Sequence, residues 1–148
     1  MGLLPMANGV RCVALDQNRE GDFIDRWETL ILNRKSPCIW TKNLPYDSLD
    51  LPVRHGEGRL TLKEDFVLPH EQEVFYYARD INGSFKRIAG ITDPKGQILG
   101  LMPHPEGYFY KGFHPQCTTF KEAFDFGPGS FIFKNAIEHC QKKEEEYA

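Results

Sequence analysis

The most constraining feature of this chain is Gly100-Leu101-Met102-Pro103-His104-Pro105-Glu106. An apolar strand runs straight into a stiff Pro-His-Pro-Glu. The two prolines fix φ on either side of the histidine and remove two backbone donors. In an extended segment, His and Glu two apart can sit side by side. The carboxylate can then hold the imidazole tautomer and stabilise the imidazolium, which is the base-plus-orienter half of a nucleophilic triad. The plain alternative is that His104 caps the strand end and Glu106 is solvated.

The His-x-Glu spacing occurs a second time, in Pro52-Val53-Arg54-His55-Gly56-Glu57-Gly58-Arg59. Two glycines around an acid allow a sharp turn and close approach of a ligand to the main chain. Arg54 and Arg59 could pair with Glu57 or bind an anion. The alternative is a tight turn between strands carrying an exposed ion pair. Asp80-Ile81-Asn82-Gly83-Ser84 is a turn by itself. A different reading takes His55, Glu57, His104 and Glu106 as metal ligands, although their spacing does not specify a metal.

Composition narrows the function classes. The chain has 148 residues, 18 basic against 21 acidic, for a net charge of −3. That length suits one domain with a real core. Mild acidity argues against a nonspecific nucleic-acid binder, which needs a basic face to displace counterions. No apolar run approaches a membrane span, and Met1-Gly2-Leu3-Leu4-Pro5 is too short and uncharged for an export signal. A reducing, cytoplasmic setting follows, with Cys12, Cys38, Cys117 and Cys140 as free thiols. None is spaced for a metal: His114-x-x-Cys117 lacks a second pair.

The pattern of residues predicts mostly loop over 1–22, with turn signals at Asn8-Gly9 and Gly21-Asp22. Strands are expected at 23–32, 49–53, 59–62 and 74–79, with a turn or helix start at 36–40. Residues 87–92 and 97–102 form a hairpin about Asp93-Pro94-Lys95-Gly96. Residues 103–128 read as a long ordered loop. Ser130 is the expected N-cap of a C-terminal helix reaching about Glu145, with Phe131, Phe133, Ile137 and Cys140 on its apolar side.

Taken together, these segments resemble the glutaminase part of phosphoribosylformylglycinamidine synthase, a class I, triad-type glutamine amidotransferase. Met1–Pro5 is similar to the end of the helix after that family's nucleophile. Phe23–Trp27 resembles its Phe-x-x-Arg-Trp strand, and Pro52–Arg59 its Pro-Val-x-His-Gly-Glu-Gly-Arg. Asn82-Gly83-Ser84, Ile88–Thr92 and Gly96–Glu106 follow in the same order, and the last of these is the most specific. The resemblance weakens over Gly107–Ser130 and returns in the C-terminal helix.

The resemblance implies that His104 is the triad base and Glu106 its orienter. The loop of His55, Gly56, Glu57, Gly58 and Arg59 would lie near the glutamine pocket and the face meeting a synthetase. The family hydrolyses glutamine through a cysteinyl thioester and passes ammonia to a synthetase that uses ATP and Mg. No cofactor is implied for this chain. The expected fold is α/β, class I glutamine amidotransferase-like (flavodoxin-like), truncated N-terminally, strand-rich with a C-terminal helix: residues 1–148 as a single partial domain.

Three departures shape the expectations. The family's nucleophile sits in Gly-x-Cys-x-Gly on a strained turn, and no cysteine here has those flanking glycines. Gly107 stands where the family usually has Arg. Met6–Val13 looks like an insertion. The nucleophile and oxyanion loop are therefore expected upstream of Met1, and the chain alone is expected not to hydrolyse glutamine. An uncovered edge and apolar face call for an N-terminal complementing piece or a homo-oligomer. The competing reading is a decayed amidotransferase-like binding or regulatory module that contacts a synthetase partner through the His55–Arg59 loop.

Overall fold

The computed structural model describes residues 4, 6–7, 10–119 and 121–147. Nine strands precede one helix among them: β1 (Met6–Ala7), β2 (Val10–Arg11), β3 (Val13–Asp16), β4 (Ile24–Leu32), β5 (Ser48–His55), β6 (Arg59–Leu62), β7 (Glu73–Tyr77), β8 (Ile88–Thr92), β9 (Leu99–Leu101) and α1 (Pro128–Tyr147). The main sheet has five strands in the order β5-β4-β7-β8-β9. Its pairings are all antiparallel. β1–β2 and β3–β6 form two small antiparallel pairs.

Alternation decides which residues reach the core. On β4, Ile24, Leu30 and Leu32 are buried while Asp25, Thr29 and Ile31 are exposed. Their partners on β5 and β7 complete the layer: Leu49, Leu51 and Val53, then Phe75 and Tyr77, all nearly inaccessible. Each such side chain contributes about 1.5–3 kcal/mol relative to exposure. The opposite face of β4 carries Trp27, which packs edge-on against Tyr108 and His114. Those rings pin the segment after Glu106 onto the sheet.

Pro52 lies inside β5, opposite Trp27. It is tolerated because β5 is an edge strand, where a missing N–H breaks no ladder. The strand therefore runs past the expected 49–53 and ends on His55 itself.

Several expectations need correction. β2 and β3 occupy part of the stretch read as loop, because β3 pairs with β6 from Val13↔Leu62 to Asp16↔Arg59. A partner so distant in sequence leaves no local signal. Of the two readings of 36–40, the turn holds at Ile39–Trp40, while 36–38 are irregular and no helix starts there. The loop over 103–128 contains short 3₁₀ turns at Pro105–Tyr108 and Lys111–Phe113 and a bridge between Tyr110 and Phe126.

The helix begins at Pro128, two residues before Ser130. Ser130 is therefore not the cap; its hydroxyl donates to the Gly127 carbonyl at 2.7 Å. Proline suits a first helical turn because its missing N–H would lack an intrahelical partner anyway. The face of α1 differs as well. Ile132 is buried and Phe131 and Phe133 half-buried, but Ile137 and Cys140 are exposed. Asn135 takes the inward position one turn on, donating to the Trp40 carbonyl at 3.0 Å. The helix-end assignment over Met1–Pro5 lies outside the described residues apart from Leu4, as does the turn at Asn8-Gly9.

Candidate functional site

β9 ends at Leu101, and the chain then crosses to β5. The His104 N–H donates to the Pro52 carbonyl at 2.8 Å, and Gly107 N–H closes a turn on the His104 carbonyl at 3.1 Å. Pro105 opens the 3₁₀ turn that carries Glu106. This geometry swings the Glu106 carboxylate back onto His104 Nδ1, 2.6 Å away. An acceptor at Nδ1 places the imidazole proton there and leaves Nε2 free to take a proton from a nucleophile. The pair is open to solvent, with side-chain exposures of 39% and 62%. It borders a cleft of about 230 Å³ shared with Trp40, Leu101, Ile132 and Phe133.

The second His-x-Glu behaves differently. His55 is only 6% exposed. Its Nδ1 lies 3.1 Å from Asn18 Oδ1 and its Nε2 lies 3.3 Å from the Tyr77 hydroxyl. Burial holds its pKa below the ordinary histidine value, and positive charge on His104 lowers it further. Glu57 points to solvent instead of to His55. Gly58 backs directly onto the imidazole, and a Cβ there would overlap the ring. Gly56 is half-buried, with ordinary room around it. Arg59 pairs with Asp16 at 2.7 Å, and Arg54 with Asp25 at 3.4 Å, so neither pairs with Glu57.

Sequence reasoning missed the residue that organises this loop. Asn18, 4% exposed, donates from its amide to the carbonyls of Asp22 and His55, both at 2.8 Å. Its own N–H donates to the Gly56 carbonyl at 2.8 Å. Asn82 Nδ2 and Gly58 N–H approach its Oδ1 at 3.4 Å. Ser84 adds a second tie: its hydroxyl accepts from Leu60 N–H at 3.0 Å and donates to the Gly58 carbonyl at 3.4 Å. The signal available was a lone Asn in the polar stretch 16–22, which any loop would share.

The cysteines are free and do not meet His104. Among the described residues, its side chain bonds only to Glu106. Cys12 donates to the Val10 carbonyl, and burial pushes the Cys38 thiol up, away from thiolate. Cys117 turns to the Thr119 carbonyl, and Cys140 lines a separate groove between α1 and the residues Ile39, Trp40 and Gln97. Among the described residues no three His, Cys, Asp or Glu side chains converge as a metal-binding group. No described helix is long and apolar enough to cross a membrane. At the sheet's far edge, β9 borders an apolar hollow of about 270 Å³ lined by Leu15, Leu60, Ile91 and Leu101.

Comparison with known proteins places this geometry. The CobB/CobQ-like glutamine amidotransferase domain family matches residues 1–140. Phosphoribosylformylglycinamidine synthase subunit PurQ of Dehalococcoides mccartyi is 35% identical, over 93% of this chain and 56% of its own length. The subunit of the same name from Methanococcus maripaludis (strain C7) is 34% identical, over 90% and 57%. A chain of the solved structure of PurLQS from Thermotoga maritima superposes with a TM-score of 0.69 at 30% identity, covering 95% of this chain and 55% of that one. The chain thus spans about half the length of the relatives it matches. The antiparallel sheet and terminal helix form a strand-rich portion of a glutamine amidotransferase-like α/β fold. By family match and fold, the chain belongs to the CobB/CobQ-like glutamine amidotransferase domain family.

Proposed function

We propose that this chain is the base-bearing portion of the glutaminase component of phosphoribosylformylglycinamidine synthase, supplying ammonia for purine biosynthesis in the cytoplasm. The observation that carries the reading is the His104–Glu106 pair, 2.6 Å apart at the mouth of a cleft. In this reading Glu106 orients His104, and His104 Nε2 takes the proton of a cysteine thiol and later returns a proton to the departing ammonia. The sequence has no Gly-x-Cys-x-Gly, so the thiol comes from a complementing segment. The apolar hollow beside β9 is where we seat that segment. The Gly56–Gly58 backbone meets glutamine, and the exposed side of the loop, with Glu57, faces a synthetase subunit. ATP and magnesium belong to that partner's reaction.

The test is a graft. The 148-residue chain replaces its matched portion in the D. mccartyi subunit and is assayed for glutamine hydrolysis with the synthetase present. Turnover by the graft and none by the chain alone is expected. Turnover by the chain alone overturns the reading, as does a folded, synthetase-binding graft without activity. A graft that is inactive yet binds the synthetase favours the binding-module alternative.

A further inference from the structure

The Phe-x-x-Arg-Trp stretch leaves one residue without a part in the site described above. Trp27 packs on Tyr108 and His114. Arg26 is on the other face of β4, the face of Glu28, and holds that carboxylate together with Arg79. Arg79 alone would neutralise Glu28, because its Nε and Nη2 grip the two oxygens side-on at 3.1 and 2.8 Å. Arg26 Nε donates to the same Oε1 that Arg79 Nη2 uses. Two guanidiniums thus meet on one oxygen of one carboxylate, and the cluster carries one positive charge more than Glu28 balances.

That excess is open to solvent. Glu28 is 5% exposed, whereas the Arg26 and Arg79 side chains are 48% and 66% exposed. Among the described residues both arginines bond only to Glu28, so most of their N–H groups have no protein acceptor. The acids beside them in sequence are taken: Asp25 pairs with Arg54, and Asp80 with Arg19. Arg87 brings a third guanidinium onto the Ala78 carbonyl, next to Arg79 in the chain. On a chain of net charge −3 this is a local positive patch.

We propose that Arg26 and Arg79 form a carboxylate-docking site whose occupant is an acidic side chain of the synthetase subunit. Glu28 holds both heads in place before the partner arrives, so less side-chain freedom is lost on binding. The two oxygens of an incoming carboxylate can bridge the pair through charge-assisted bonds. The position fits that partner. Arg26 lies opposite Val53, two residues along the ladder from the Ile24↔His55 pair, where the loop read as facing the synthetase begins. The named occupant rests on the synthetase reading; the carboxylate site itself does not.

The test has two arms. The first follows the arginine Nε–H resonances of the 148-residue chain by NMR during titration with glutarate at low salt. Arg26 and Arg79 should shift together and saturate, about ten-fold more tightly than Arg54, which is also exposed but pairs one to one with Asp25. Arg26→Gln should abolish the Arg79 response. The second arm measures the affinity of the grafted subunit for the synthetase. Arg26→Gln and Arg79→Gln should each weaken it about ten-fold at low salt, with the loss shrinking as salt rises, while Arg54→Gln stays within about two-fold. Absence of a saturable glutarate response, or an equal one at Arg54, overturns the proposal. So does a folded graft whose synthetase affinity ignores both substitutions. If the variants do not fold, the wild-type titration decides. Glutarate binding without any synthetase binding by the graft sinks the synthetase reading, and with it the named occupant, and leaves the carboxylate site standing.

Discussion

The same three-residue pattern, His-x-Glu, appears at 55–57 and at 104–106, and the fold treats the two in opposite ways. His104 and Glu106 bond to each other at the surface. His55 turns inward to Asn18 and Tyr77, and Glu57 turns out to solvent. The difference lies in the backbone. Pro103 and Pro105 bracket the first member of the second pair, and the 3₁₀ turn over Pro105–Tyr108 folds the acid back on the ring. At 55–57 the histidine is the last residue of β5, so strand alternation sends it to the core face and removes it from reach of its acid. Spacing proposes a pair; the local conformation decides whether one forms.

The comparison can be broken most sharply at its exposed member. His104→Ala in the grafted subunit should cost about 10³-fold or more in turnover while the thermal midpoint moves little, because among the described residues its side chain bonds only to the exposed Glu106. A parallel fall in stability would show that His104 is a framework residue like His55.

Gly58→Ala should do the reverse. Its Cβ would overlap the His55 ring, and overpacking of this kind costs about 2–3 kcal/mol. Gly56→Ala, whose Cβ would meet only Phe23 at 3.7 Å, should stay within about 0.5 kcal/mol. Urea midpoints of the two variants compare them, and equal effects would mean that the loop does not rest on His55.

A buried acid on the face that carries His55 sharpens the contrast with exposed Glu106. Glu28 is 5% exposed and takes hydrogen bonds from Arg79, at 2.8 and 3.1 Å, and from Arg26. Burial by itself would raise its pKa, but the two arginines outweigh that and hold it below its ordinary 4.5. A carboxyl lowered on folding adds stability above pH 4.5 and loses it as the pH falls through the folded value. Glu28→Gln should therefore cost about 2 kcal/mol at pH 7, with the gap to wild type closing in acid. A gap that widens toward low pH would contradict the assignment. Glu57→Gln should change stability by less than about 0.5 kcal/mol at pH 7, and a larger effect would place Glu57 in a contact it does not make here.

Much of the framework was legible because it is written locally. Loose alternation marked β4, the Asn-Gly-Ser turn marked the end of the strand that became β7, the Pro-Gly turn marked the β8–β9 hairpin, and the prolines around His104 forced the geometry that joins it to Glu106. What was illegible depends on partners far along the chain. β3 is a strand because β6 pairs with it, and Asn18 matters because His55, Gly58 and Asn82 come to it. Ile137 and Cys140 looked inward by periodicity but are exposed, while Ile132 and Asn135 took the buried face, Asn135 by bonding the distant Trp40 carbonyl. Gly107, unusual against the family pattern, has a reason only in space: a Cβ there would lie 2.5 Å from Pro52 Cγ.

The central claim is that His104, oriented by Glu106, is the base of a cysteine glutaminase whose thiol lies outside this chain. The most direct measurement is steady-state glutamine hydrolysis by the grafted subunit with its synthetase, comparing wild type with His104→Ala. The account predicts turnover that collapses with the substitution although the variant still folds and still binds the synthetase. Turnover that survives the loss of His104 would contradict it.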